Sequence, residues 1–321
     1  MNNENNQNQF KKIKIISLFN GVSTLYESLR QLGLDQYIER YVSVEYDKFA
    51  NLVTKARVPG VEIYEDIRDF DGTKFQDFDL CVFGSPCQSI SSIGKREGFN
   101  GTSGLFYEAL RVLHEANPRF YLMENVNSAT QRIKDIINQE LGVKGIMLDA
   151  SELGSCQKRK RMFWSNLTIA EPKKPIEGEV FQDILENGYV QSKFAKTLLT
   201  GYNCETLSGL KRYLGLQAMG PVGHLIFKDE ACIKMNAEEL IKYYEANSVN
   251  GIKETPTSFK NGIFRVPTPL ECERLQGLSD NYTEVDGNSN SQRYIQLGNS
   301  FNTYHFKYII NQNIDKLFYG N

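Results

Sequence analysis

The sequence predicts an α/β fold, a doubly wound, mixed but mostly parallel sheet with a second, smaller domain. Three observations carry this expectation. Short apolar runs alternate with amphipathic stretches from Ile13 to about Leu167. The strand-like runs are apolar throughout, as expected of strands covered by helices on both faces. After Leu167 the alternation stops at "AEPKKPIEGE" (170–179), whose prolines and mixed charge read as a linker.

"KIKIISLF" (12–19) reads as the first strand and "STLYESLRQLG" (23–33) as a helix closed by Gly33. "YVSVEYD" (41–47) is a second strand, "KFANLVTKAR" (48–57) a second helix and "VEIYEDI" (61–67) a short extended piece. "FDLCVFGSP" (78–86) and "RFYLMENV" (119–126) are further strands, separated by the helical "GLFYEALRVLHEA" (104–116). The helical "QRIKDIINQEL" (131–141) precedes the short strands "GIMLDA" (145–150) and "RMFWSNL" (161–167). Beyond the linker the segments are short and Gly-punctuated, with one helical piece, "NAEELIKYYEAN" (236–247). The closing "SFNTYHFKYIINQNIDKLF" (300–318) has the period of one amphipathic helix.

The 321 residues, 40% hydrophobic, suffice for a full core plus a smaller domain. A net charge of -2 offers no bulk attraction to nucleic acid, so any such site must be a local basic surface. Composition alone favours a cytosolic enzyme acting on small molecules. The six cysteines are scattered without a Cys-x-x-Cys pair, which argues against zinc and against a disulfide framework; no metal is expected. The opening "MNNENNQNQFKK" lacks an apolar core and reads as a frayed tail over 1–11, not a secretion signal. No run approaches a membrane span, and a cytoplasmic location is expected.

Ligands of open α/β sheets sit beyond the carboxyl ends of the strands. There the sequence places Phe19-Asn20-Gly21, Glu45, Asp66, Cys87 and Glu124-Asn125. Phe19-x-Gly21 permits a tight turn, although glycine is common in any such turn. Glu45 suits a ribose diol, or is a solvated acid at a strand end. Asp66 suits an adenine amino group, or caps a loop. Together they outline an adenosine pocket. Cys87 follows Pro86, which stiffens the turn, although a lone cysteine is more often a small core residue. Gly94, Gly98, Gly101 and Gly104 flank Lys95 and Arg96, which suits a mobile basic lid better than a core. In "QKRKRMFW" the period of two puts Gln157, Arg159 and Arg161 on one side of an extended chain.

In this order the set resembles the cytosine-C5 DNA methyltransferases: Phe-x-Gly, a strand-end Glu, Asp-Ile, Pro-Cys-Gln, Glu-Asn-Val, Gln-x-Arg-x-Arg, then "RLQGLSDNYT" and "QLGNSF". The stretch 85–106 also resembles the animal de novo branch of that family. The resemblance implies a Rossmann-like S-adenosylmethionine-dependent domain, discontinuous over 12–169 and 266–321, with 170–265 recognising the target. It implies a cofactor pocket lined by Phe19, Gly21, Ser23, Thr24, Glu45, Tyr46, Asp66, Ile67, Gly84, Pro86, Asn299 and Ser300. Cys87, Glu124, Arg159 and Arg161 are the implied catalytic set. Gln88, Ser89, Lys95, Arg96, Gln157 and Arg265 are the implied contacts to double-stranded DNA. Phe259, Lys260, Asn261 and the run 191–203 are further candidates for the DNA side. Ser23 stands where the family carries a second glycine, and Glu65 where a glycine precedes the Asp.

A thiolate must add to C6 of cytosine before C5 becomes nucleophilic, and a base buried in a duplex must first flip out. Cys87 is expected to add, Glu124 to protonate N3, and Arg161 to hold the base carbonyl or the Glu–Cys loop. Three rivals are weighed. A tRNA-modifying branch shares the scaffold, but its Cys-Phe-Thr signature is absent. A silent DNA-binding module would lack the nucleophile, and a small-molecule methyltransferase would need neither "QKRKR" nor the inserted domain. The expected protein is a monomer of a bacterial or phage-infected cell, with a cognate restriction endonuclease as a separate partner.

Overall fold

The computed structural model describes residues 10–86, 104–200, 207–216, 224–248, 259 and 263–319. Two compact units result: Met1–Leu148 with Lys160–Glu171 and His305–Asn321, and Asp149–Arg159 with Pro172–Tyr304. The crossing from Glu171 to Pro172 falls inside the expected linker. The contacts, however, group 149–159 and 266–304 with the second unit, whereas the sequence assigns them to the catalytic domain.

In the first unit, β1 (Ile13–Leu18), β2 (Ile38–Val44), β3 (Glu62–Tyr64), β4 (Leu80–Phe83), β5 (Phe120–Val126), β6 (Ile146–Asp149) and β7 (Lys160–Ser165) form one sheet in the order β3-β2-β1-β4-β5-β7-β6. The pairs β1·β2, β1·β4, β2·β3 and β4·β5 are parallel, and β7 runs antiparallel to β5. The mixed, mostly parallel sheet is the expected one. Helices α1 (Thr24–Gln31), α2 (Lys48–Arg57), α3 (Gly104–Ala116) and α4 (Gln131–Leu141) lie between strands in the sequence. The strands are apolar because both faces are covered: Ile16, Leu18, Val42, Phe83, Met123 and Trp164 share one core with Phe106, Leu110, Ile133 and Ile137 of the helices. Trp164 donates its indole N–H to Asn138 Oδ1 at 2.7 Å, and an added Cβ at Gly145 would lie 2.6 Å from that ring. Only glycine leaves room there.

The structure corrects two expectations of this unit. Phe10 packs on Tyr37, Phe318 and Tyr319, and the Lys11 ammonium pairs with Asp79 at 2.9 Å, so the frayed tail does not extend to these residues. The closing helix is also not continuous. It runs as α9 (Thr303–Asn311) and gives way to a π turn over Asp315–Tyr319. The buried Asn313 amide donates to Ile309 O and Thr168 O, and its Oδ1 accepts from Thr168 N at 2.9 Å. That side chain competes with the helix ladder at the break.

The second unit is irregular, as expected, but has more structure than the sequence announces. It contains α5 (Leu207–Tyr213), α6 (Ala237–Asn247), α7 (Pro269–Leu275), α8 (Asn290–Asn299) and an antiparallel pair, β8 (Ile226–Phe227) with β9 (Phe264–Arg265). Leu210, Leu225, Phe227, Leu240, Ile263 and Phe264 form its small core. Arg265 makes a bidentate pair with Glu271, both contacts at 2.7 Å, and its guanidinium also donates to Asn187 O and Oδ1. Glu271 at the same time closes a capping box with Thr268 at the start of α7. Cutting such a buried pair on one side leaves a charge without its partner. Glu271→Ala is expected to lower the unfolding free energy by about 3–5 kcal/mol, read by urea denaturation.

Candidate functional site

The parallel register aligns the ends of five strands. Leu18 pairs with both Val44 and Phe83, Val44 with Tyr64, and Phe83 with Met123. The residues one step further, Phe19, Glu45 and Gly84 after their strands and Glu124 near the end of β5, therefore form a row along one edge. The strand order reverses between β1 and β4, which is where a doubly wound sheet opens its crevice.

At the β1 end the chain turns through three left-handed residues, Phe19 at φ 53, Gly21 at φ 58 and Ser23 at φ 60. Two of these are not glycine, and each such residue costs about 1–2 kcal/mol. A buried polar network opposes that cost. The Asn20 amide donates to Ser23 Oγ at 2.7 Å and to Thr54 Oγ1 at 3.2 Å, and its Oδ1 accepts from the Tyr41 hydroxyl at 2.9 Å. Ser23 Oγ and Thr54 Oγ1 are 2.8 Å apart. Ser23 and Thr24, expected to line the pocket, are buried and offer a ligand no surface. Instead, the hydroxyl at the family's glycine position secures the turn from within. Sequence reading missed Asn20, Tyr41 and Thr54 in this role. Their signal, polar residues on three separate segments, emerges only when those segments pack. Tyr41→Phe leaves the buried Asn20 carbonyl short of a donor and is expected to cost about 1–3 kcal/mol by chemical denaturation.

Above the turn, Glu45 Oε2 accepts from Gly21 N and Oε1 from Asp47 N, both at 2.8 Å. Burial pushes the Glu45 carboxyl above the ordinary glutamate range, against the downward pull of these N–H groups. A Cβ placed at Gly21 would meet no heavy atom within 4 Å, so open space faces the loop backbone there. Tyr46 is 79% exposed. Asp66 accepts from Arg68 N at 2.9 Å and pairs with its guanidinium at 3.3 Å, and Ile67 is buried with its carbonyl accepting from Arg111. A carboxylate acceptor, an open glycine backbone and an exposed aromatic ring thus stand together at this edge.

On the other side of the crevice, β4 ends in Gly84, Ser85 and Pro86, the last exposed. The buried Asn125 amide donates to Ser85 O at 2.9 Å and ties this turn to the end of β5. Antiparallel pairing places Arg161 opposite Val126 and Phe163 opposite Glu124. Glu124 and Arg161 are thus diagonal neighbours on one face, and Arg161 Nε meets Glu124 Oε1 at 2.8 Å with both side chains nearly buried. Of the arrangements expected for Arg161, this is a hold on the glutamate itself. Cys87, Gln88, Ser89, Lys95 and Arg96 lie outside the described residues. The described thiols Cys81 and Cys156 are pushed up to about 12 by burial, which keeps them protonated.

The "QKRKR" run does alternate, with Gln157 and Arg159 buried and Lys158 and Lys160 exposed. Its buried members hold the second unit together. Gln157 donates to Leu275 O at 2.7 Å and accepts from Leu198 N at 2.9 Å. Arg159 donates to Ser300 O at 2.5 Å and Gly298 O at 3.3 Å. Gln157 and Arg265, expected to face DNA, are corrected: each is no more than 1% exposed and spends its polar atoms on the protein. Arg159 braces the turn at "LGNS", in which Asn299 is exposed and Ser300 buried.

The sequence of the chain matches the family model of the C-5 cytosine-specific DNA methylases over residues 13–315. The chain belongs to that family. Among its relatives, Type II methyltransferase M1.ScrFI of Lactococcus lactis subsp. cremoris is 29% identical, over 90% of this chain and 75% of that protein. Type II methyltransferase M.HhaI of Haemophilus parahaemolyticus is 26% identical, over 91% of both. In fold the chain is similar to the S. pombe Dnmt2 methyltransferase, with a TM-score of 0.72 at 16% identity, covering 95% of this chain and 99% of that one. This member of the family is therefore an S-adenosylmethionine-dependent DNA cytosine-5 methyltransferase. Among the described residues no helix is long and apolar enough to cross a membrane.

Proposed function

We propose that the chain methylates C5 of a flipped-out cytosine in a specific duplex sequence through a covalent Cys87 adduct. The observation that carries this is the Glu124–Arg161 pair, set beside the Ser85 turn that leads to Cys87. Residues 170–265 read the target sequence. The protein acts as a monomer in the cytoplasm of a bacterial or phage-infected cell, with a restriction endonuclease as a separate counterpart.

The pocket for S-adenosylmethionine is the first turn and its neighbours: Gly21 backbone, the Glu45 carboxylate for the ribose hydroxyls, the Tyr46 ring, and Asp66, Ile67, Gly84 and Pro86 around the base and the methyl-bearing end. Asn299, which Arg159 braces within the second unit, is a further residue that the family resemblance assigns to the cofactor. The cofactor supplies an electrophilic methyl group on a sulfonium. The chain supplies the nucleophile and the proton traffic. The Cys87 thiolate adds to C6, breaking the C5–C6 double bond, while Glu124 shares a proton with N3 as charge develops there. Arg161 holds the Glu124 carboxyl in the orientation this needs. After C5 is methylated, loss of the C5 proton restores the double bond and expels Cys87. Lys95 and Arg96 close on the DNA phosphates, and Gln88 and Ser89 contact the DNA.

Expression in a methylation-free host followed by bisulfite sequencing tests activity and target together; a genome without converted-resistant cytosines sinks the reading. Cys87→Ser is expected to abolish the adduct with 5-fluorocytosine duplex while keeping DNA binding, as gel shift after denaturation reports. Glu124→Gln is expected to lower kcat by about 100-fold or more in single-turnover assays. The raised Glu45 carboxyl gives a pH signature. Its ionised form is the double acceptor, so cofactor affinity should weaken as pH falls through the raised value and stay flat above it. For the unliganded protein the sign reverses, because that carboxyl's contribution to stability is present at low pH and lost as pH rises through its folded value. Calorimetric titrations of wild type and Glu45→Gln across the acidic range check the affinity profile, which the variant should flatten.

A further inference from the structure

We infer that Lys158, Lys193 and Lys196 form a phosphate-binding track for the backbone of duplex DNA, on the exposed side of the seam between residues 156–158 and 193–197. The inference rests on the functional reading above and deepens it by assigning a DNA surface within the second unit. The seam is a short parallel pairing. Gln157 bridges to Ala195, Lys158 N donates to Ala195 O and Ala195 N donates to Cys156 O, both at 2.8 Å. Gln157 and Ala195 are buried, so the period of two turns their neighbours Lys158, Phe194 and Lys196 to the opposite side. All three lysines are exposed.

Two of their ammonium groups stand over one aromatic ring and the third over another. Lys158 Nζ lies 5.9 Å and Lys193 Nζ 5.4 Å from the centroid of the same Phe194 ring, and Lys196 Nζ lies 5.0 Å from that of Tyr213. Among the described residues of this unit the ion pairs are Glu238–Lys242, Arg265–Glu271, Arg274–Asp280, and Arg293 with Glu273 and Glu284; none includes these lysines. Two like charges over one ring repel each other, and an exposed cation–π contact returns only about 0.5–1 kcal/mol. In a chain of net charge -2, three exposed lysines that enter none of the ion pairs among the described residues make a local basic surface of the kind a DNA backbone requires.

The test is the salt dependence of binding to a labelled non-target duplex by fluorescence anisotropy, with wild type and the triple variant Lys158→Gln, Lys193→Gln, Lys196→Gln. Each phosphate contact adds about 0.9 to the log–log slope, so the variant's slope should fall by about 2.7. Between about 50 and 200 mM salt, wild type should then lose about 40-fold more affinity than the variant. Thermal melting confirms that the variant is folded, and the three single variants, each expected to lower the slope by about 0.9, replace it otherwise. An unchanged slope overturns the proposal, as does a loss seen only with a folded RNA hairpin. Methylation of genomic DNA by wild type is measured in parallel. A reduced slope with no methylation upholds the track and sinks the functional reading; methylation with an unchanged slope does the reverse.

Discussion

The parallel register of β1 with β2 and β4 is the constraint on which the site depends. Because Leu18 sits beside Val44 and Phe83 at once, the chain leaves three strands in one row. A slip of one residue in any of them would turn its last side chain to the other face and move Phe19, Glu45 or Gly84 out of the row. The register is held by strands whose side chains are buried on both faces, so a slip would also disorder the core that Phe83, Met123 and Trp164 share with α3 and α4. Position of function and packing of core are here one requirement.

Around this edge the polar work is divided by depth. Asn20, Ser23, Tyr41 and Thr54 lie beneath the first turn, fully occupied with one another, and hold a left-handed backbone in place. Glu45 lies above it and retains acceptor capacity. Asn125 and Arg161 perform the same service at the far side, one tying the turn after β4, the other holding Glu124. In the second unit the buried Gln157 and Arg159 brace 275–276 and 298–300, and the pair of Arg293 with Glu273 fastens α8 to α7. The alternation in "QKRKR" thus separates bracing residues from exposed lysines.

Much of the first unit was legible. The strand and helix expectations from Ile13 to Leu167 match the observed elements within a few residues, because continuous apolar runs and amphipathic periods report burial directly. The Glu-Asn-Val and Gln-x-Arg-x-Arg motifs lie on β5 and beside β7, which pair with each other. What failed did so for local reasons. The closing helix broke because one asparagine side chain found partners on another segment, and Gln157 and Arg265 went inward because buried carbonyls and Glu271 awaited them. Polar letters at those positions do not reveal whether their partners are water, DNA or protein. The helices α7 and α8 were hidden within motif strings whose periodicity is short.

Sequence by itself determined the sheet, its alternating helices and the family, since these follow from the period of apolar residues and from the order of motifs. Only the tertiary structure decided which polar residues face a ligand and which hold the fold. That choice depends on partners distant in sequence: Arg161 reaches Glu124 because β7 pairs antiparallel with β5, and Asn20 meets Tyr41 and Thr54 because β2 and α2 pack beneath the first turn. A hydrogen bond needs both ends in place, and only folding brings them together.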